Sequence, residues 1–255
     1  MDITAIYFSP TGGTKQYVQK IAGALGETYA SLDLSDRETR LREHTFSKDD
    51  LVVIGVPVYY GRVVQIDNGL LKRLHGDGTR AILVAVYGNR AFDDALLELS
   101  DLCAKQDFVT AAAFTGIAQH TFSEKIATGR PNADDLLEAE RFAQACKDKL
   151  SAGGDVRGPV LPGNHPYRPY GSVPFAPRGD NSCTSCGVCA KICPAGAIDP
   201  TELKKTDTKK CIRCFACIKV CPVGVRKVTS PVYRIAVKKL EDNLTKLDRQ
   251  CESFL

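Results

Sequence analysis

Between Cys183 and Cys221 the chain writes one cysteine pattern twice: C-T-S-C-G-V-C-A-K-I-C-P over 183–194 and C-I-R-C-F-A-C-I-K-V-C-P over 211–222. Each of the four cysteines recurs 28 residues later, and P-A-G-A after the first run is echoed by P-V-G-V after the second. The spacing has a chemical reason. Three thiolates set two residues apart can wrap three corners of a four-iron cubane from one tight loop, and the fourth ligand must come from elsewhere. Proline after the last cysteine fixes φ and removes an N–H, turning the chain away. A disulfide framework suits a short secreted chain with an even cysteine count, whereas this chain has 11 cysteines. Structural zinc takes cysteines from paired C-x-x-C knuckles, whereas each run here adds a third cysteine at the same step and then Cys-Pro. The pattern points to two iron–sulfur clusters.

Residues 180–229 resemble the bacterial two-cluster ferredoxins. In that family the cysteine before proline ligates the other cluster. The resemblance therefore implies one 4Fe–4S cluster on Cys183, Cys186, Cys189 and Cys221, and a second on Cys211, Cys214, Cys217 and Cys193.

A chain of 255 residues suits one domain of ordinary size plus a small one, at about 100–200 residues per domain. Its 44% hydrophobic and 25% charged residues are those of a globular protein. The amino terminus runs straight into an alternating apolar strand without a basic leader. No apolar run approaches the roughly 18 residues of a membrane span. A cytoplasmic protein with no membrane segment is expected, in keeping with free thiols and clusters in a reducing, low-oxygen interior. From Cys183 onward, 14 Lys and Arg face 7 Asp and Glu, although the net charge of the whole chain is only +4. Each thiolate-ligated cluster is itself anionic, so this excess reads as counter-charge. No aromatic-interleaved motif accompanies it, and no nucleic-acid partner is expected.

Upstream, a buried strand over 2–8 leads through the turn S-P-T-G-G-T to a helix with Val18, Ile21, Ala22 and Leu25 on one face. Strand, glycine-rich turn and helix form an anion site, because N–H groups at the helix start point at the ligand. The turn has neither the nucleoside triphosphate loop nor the dinucleotide fingerprint. It resembles the flavodoxin phosphate loop, with Ser9, Thr11, Gly12, Gly13 and Thr14 in the matching places, and so implies FMN. Further strands are expected over 29–34, 51–58, 80–87 and 108–116, with helices over 68–74, 93–105 and 133–150, the last capped by Asn132. Nearly continuous apolar runs suit strands covered on both faces. The resemblance implies an α/β fold with a five-stranded parallel sheet in flavodoxin order, followed by a small α+β ferredoxin-like domain.

In flavodoxins the loops after the third and fourth strands hold the isoalloxazine ring. The corresponding residues are Pro57, Val58, Tyr59, Tyr60 and Gly61, then Tyr87, Gly88, Asn89, Arg90 and Asp93. The tyrosines either stack on the ring or pack the strand ends. Arg90 either faces the flavin or pairs with Asp93 or Asp94. His120 lies on a loop long enough to reach the cofactor edge, and is either a contact or solvated. Residues 153–182 hold six prolines with interleaved aromatics, a linker expected to lie packed rather than free. A helix is expected over 235–252, with Leu240, Leu244, Leu247 and Cys251 on one stripe.

Together these features resemble the flavodoxin–ferredoxin fusion proteins of anaerobic bacteria and archaea. The resemblance implies segments 1–152 for FMN, 153–182 as linker, 183–229 for two clusters and 230–255 as a terminal helix. It also implies electron transfer between clusters and flavin, with redox proteins as partners. An FMN-dependent reductase of a quinone or nitro compound, fed by the clusters, is the alternative. No nucleophile, acid–base pair or catalytic metal stands out in the sequence. Whether the flavin edge is a surface dish or a roofed pocket discriminates between the two readings, and the loop over 118–131 decides it.

Overall fold

A computed structural model describes residues 2–67, 69–152 and 158–255. Asn68, the first residue of the helix expected over 68–74, and residues 153–157 of the expected linker lie outside them.

The first part of the chain is β1 (Ile3–Tyr7), α1 (Gly13–Leu25), β2 (Ala30–Asp33), a one-turn α2 (Arg37–Leu41), β3 (His44–Thr45), β4 (Leu51–Tyr59), β5 (Arg62–Val63), β6 (Leu74–His75), β7 (Thr79–Tyr87), α3 (Ala95–Ala104), β8 (Phe108–Ile117) and α4 (Ala133–Ser151). The sheet runs β2-β1-β4-β7-β8 with every neighbour parallel. Apolar runs such as 51–56 lie fully buried because both faces of the sheet are covered. α1 turns Tyr17, Val18 and Ile21 to one face, where α4 adds Phe142 and Cys146. Each such side chain, fully buried, contributes about 1.5–3 kcal/mol. Asn132 caps α4 as expected, in a reciprocal box with Asp135.

The other face carries α3, and the cluster-bearing part helps to cover it. Between β2 and β4 the only helix is the short α2, and Ala195 and Ile212 pack on the core cluster of that face. Arg40, 2% exposed, ties the parts together: its guanidinium donates to Leu34 O, Asp67 Oδ2 and Pro194 O.

Three sequence expectations are corrected. Residues 69–74 form turns and the start of β6, not a helix. Leu70, Leu71 and Leu74 have helical spacing, but they fill the core beneath the β3–β6 pair. The last helix, α7 (Pro231–Leu244), ends well before 252, and Glu252–Phe254 instead form β9, antiparallel to β8 at the sheet edge. Cys251 is therefore not helical. Its thiol lies 3.8 Å from Tyr17 Oη and 3.6 Å from Asp135 Oδ1. Competition from the free edge of β8, whose backbone groups need partners, accounts for the shortening.

The cysteine-rich part keeps the 28-residue repeat in three dimensions. One-turn helices α5 (Val188–Lys191) and α6 (Ala216–Lys219) occupy equivalent places. Each is preceded by a left-handed residue, Gly187 and Phe215, and two residues earlier by another, Ser185 and Arg213. Apart from these turns, its regular structure among the described residues is the isolated bridge Arg178–Lys227. The described part of the proline-rich stretch makes contacts with α3 and its approach. Asp94 accepts from Asn164 N and Arg168 N, Tyr167 Oη donates to Asp101, and Phe175 is buried. Burial alone would raise the Asp94 carboxyl, but these donors hold it below the usual carboxylate range.

Candidate flavin and cluster sites

At the carboxyl ends of β1, β4 and β7 lies a cavity of about 680 Å³, where an open α/β sheet places its ligands. Ser9, Thr11, Gly13 and Thr14 line one end. Gly12, at φ 91°, makes the left-handed turn into α1, which has no side-chain cap and no acid in its first turn. The N–H groups of Gly13 and Thr14 are thus left for an anion. Ser9 Oγ accepts from Lys15 N at 2.9 Å, and Ser9 N donates to Ser35 Oγ, fixing the loop.

Pro57, Val58, Tyr59, Tyr60, Gly61, Tyr87 and Arg90 line the remainder of the expected ring site. Tyr60 is held by the linker, its ring meeting Tyr170 edge-on at 5.4 Å. Tyr59 packs on the sheet core, and burial raises its phenol well above the ordinary value. Arg90 lines the cavity and also pairs with Asp93. Asp93 takes a second cation, Arg168.

Four expected contacts are not part of this lining. Gly12 shapes the turn. Gly88 seats His120, whose Cδ2 would lie 2.6 Å from any Cβ added there. Asp93 serves the two arginines. Asn89 faces the other way: buried, it donates to Leu244 O and Leu247 O, each at 2.9 Å, and so holds the end of α7.

The cavity is roofed by residues far away in sequence. His120 and Phe122 come from the loop after β8, Val173 and Phe175 from the linker, Ile212, Arg213 and Cys214 from the second cysteine run, and Lys239, Leu240 and Asn243 from α7. Of these only His120 is singled out in the sequence as a contact for the cofactor, as a histidine on a long loop. Its Nδ1 accepts from Phe122 N, and burial, followed by Arg90, lowers its pKa to about 4, so it is neutral at pH 7. Phe122 joins the segments. Its ring lies 4.8 Å from Phe215, 5.7 Å from Phe175 and 6.2 Å from Tyr233, whose hydroxyl donates to Phe122 O. Arg90, Arg213 and Lys239 line the cavity, with no carboxylate among the described lining residues.

The eight motif cysteines line two smaller apolar cavities of crossed composition. Cys211, Cys214, Cys217 and Cys193 surround one, with Ile198 and Phe215. Cys183, Cys186, Cys189 and Cys221 surround the other, with Leu203 and Val225. Burial raises the Cys214 thiol to about 12. Burial also acts on Cys221, but backbone N–H groups of 223–226 outweigh it and lower that thiol. Such converging N–H groups suit anionic sulfur. Four cysteines around each apolar space fit a cluster, and an uncapped helix start beside an aromatic, carboxylate-free cavity fits a flavin phosphate. Cys103 and Cys146 are buried among apolar side chains, and burial raises both thiols.

Comparisons with known proteins match two segments of the chain. Residues 4–77 match the flavodoxin domain family and residues 182–225 the 4Fe–4S dicluster domain family. The chain is an electron-transfer protein of the flavin and iron–sulfur class, with FMN and 4Fe–4S clusters as its cofactors. More particularly, it is a flavodoxin–ferredoxin fusion. Similar solved structures include a flavodoxin from the domain Archaea, 14% identical, covering 59% of this chain and 99% of that one with a TM-score of 0.41. The two-electron reduced flavodoxin of Megasphaera elsdenii is 17% identical over 56% of this chain and 98% of its own, TM-score 0.35. Rubredoxin oxygen:oxidoreductase of Desulfovibrio gigas is 14% identical over 59% of this chain and 37% of its own, TM-score 0.38. No curated protein matches. Among the described residues no helix is long and apolar enough to cross a membrane.

Proposed function

We propose that the chain passes electrons between an external redox protein and FMN by way of its two clusters, in a fixed spatial order. The observation that carries this reading is that Cys214 lines both the flavin cavity and one cluster cavity. The cluster held by Cys211, Cys214, Cys217 and Cys193 is then proximal to the flavin. The other, bounded by the exposed Cys186, is distal and meets the partner. When bound, FMN exchanges one or two electrons and each cluster one, so the protein's own task is distance, orientation and potential.

Ser9, Thr11, Gly12, Gly13 and Thr14 hold the phosphate, with Gly12 as the turn. Pro57 to Gly61, Tyr87 and Arg90 hold the ring. Thr121 Oγ1 donates to Cys214 O at 2.8 Å and fixes the proximal loop against the flavin domain. Phe122, Phe175 and Phe215 exclude water from the joint. The segments 1–152, 153–182, 183–229 and 230–255 serve as flavin domain, spacer, cluster domain and cover. All 11 cysteines are free, in keeping with a reducing cytoplasm. The roof over the flavin cavity includes the second cysteine run itself, through Ile212, Arg213 and Cys214, which favours internal transfer over entry of a separate small acceptor.

The test is anaerobic stopped-flow mixing of holoprotein with a one-electron donor protein. FMN bleaching should follow cluster reduction. In Cys217→Ala, with FMN retained, the bleaching rate should fall at least tenfold. An unchanged rate overturns the proposed order, and rapid turnover of a quinone or nitro compound by the reduced protein would support the reductase alternative.

A further inference from the structure

Arg226 is 2% exposed. Its guanidinium donates to Leu203 O, Pro177 O and Thr206 Oγ1, and approaches Cys189 Sγ at 3.9 Å. Its charge also acts on the thiols of Cys217 and Cys211. Its Nε has no partner, and no carboxylate pairs with it among the described residues. A buried charge without a counter-ion costs several kcal/mol. The fold therefore holds a cation whose anion is not a side chain, against the sulfurs of the proposed clusters.

The internal repeat supplies the comparison. Stepping back 28 residues from Arg226 leads to Ile198, also buried, at 4% exposure. Ile198 lines the cavity of Cys193, Cys211, Cys214 and Cys217, whereas Arg226 lines that of Cys183, Cys186, Cys189 and Cys221. At equivalent places one cavity meets an aliphatic wall and the other a fixed positive charge.

We propose that Arg226 is the counter-charge of the distal cluster and sets its reduction potential above that of the proximal one. Reduction adds one electron to a cluster and makes or breaks no bond, so the reduced state is more negative by one charge. A desolvated cation beside it favours that state, with little screening at this depth. Ile198 offers no such term. Through Cys217 the guanidinium acts on the proximal cluster as well, but from outside its cavity. The electron therefore rests on the partner's side, and the step towards the flavin is the uphill one.

This rests on the reading that the eight cysteines hold two clusters, and the test separates the two. Iron and sulfide are counted first in anaerobic holoprotein: about eight irons are expected, and far fewer in the unsubstituted protein fails the underlying reading, not the role of Arg226. Redox titration followed by electron paramagnetic resonance should then give two separated potentials. Arg226→Met should shift the higher one downward and narrow the gap with iron retained, while Arg226→Lys should keep most of it. Full iron with unshifted potentials in Arg226→Met overturns the proposal. If Arg226→Met does not load, loading of Arg226→Lys with the gap kept supports the counter-charge. Loading with the gap lost overturns it, and so does failure of both variants while FMN binding is intact, since that marks a purely structural residue.

Discussion

Asn89→Gly tests how the flavin cavity is kept covered. Asn89 sits at φ 64°, where asparagine and glycine are comfortable and alanine is strained, so glycine removes the amide without forcing the turn. The side chain supplies two donors to Leu244 O and Leu247 O. Stranding a buried acceptor costs about 1–3 kcal/mol. The contact with Leu247 is partly solvated, so the lower part of the combined range, about 2 kcal/mol, applies, which is a roughly thirtyfold gain in the open population of the α7 end. Hydrogen exchange on 240–247 should speed up by that factor while the protection of β4 and β7 is unchanged, and FMN should dissociate faster. Protection of 240–247 equal to that of the unsubstituted protein would refute the assigned clamp.

Thr11→Glu should expel FMN by placing like charge at the phosphate end of the cavity; flavin absorbance after gel filtration reads it. Cys193→Ala should lose the cluster of Cys211, Cys214 and Cys217 in preference to that of the nearer run, seen as about half the iron with the distal spectroscopic signal kept. His120 is held neutral, with its pKa lowered from 6.5 to about 4. Its contribution to stability is present above pH 6.5 and is lost as pH falls towards 4, because the unfolded chain takes up a proton that the folded one refuses. His120→Gln should flatten that part of the curve of denaturation midpoint against pH. Arg90→Ala should lower the flavin potential measured by dye-equilibrated titration, by an amount limited by the Asp93 pair and by exposure.

What was legible depended on whether the relevant neighbours were close in sequence. The cysteine runs and the Ser9–Thr14 turn are local devices, so their spacing pointed to iron–sulfur and anion binding, while the crossed ligand sets and FMN came from the resemblance. The parallel strands were readable because burial on both faces leaves continuous apolar runs. Leu70, Leu71 and Leu74 misled because helical spacing and irregular packing into a core produce the same short pattern. Asn89 misled for a different reason. It lies in the loop where a flavin contact belongs, yet the carbonyls it serves arrive 155 and 158 residues later. No local pattern announces such a partner. The same holds for the roof from Val173, Ile212 and Leu240, and for Arg226, whose meaning appears only when the repeat is laid over the structure.

The three residues of β9 have a consequence for how the molecule is made. They pair with Ala113, Phe114 and Thr115 of β8, and both cysteine runs are synthesised between the two strands. Until that late segment emerges, the nascent flavin domain presents β8 as a bare edge, a ready template for pairing with another chain, and its cavity lacks the α7 wall. Flavin loading is therefore unhindered early, and the sheet is closed only once the cluster segment stands in place. A molecule starved of iron during synthesis would be left with an unlatched terminal segment and an adhesive strand edge, so failure of one cofactor is written onto the domain that binds the other.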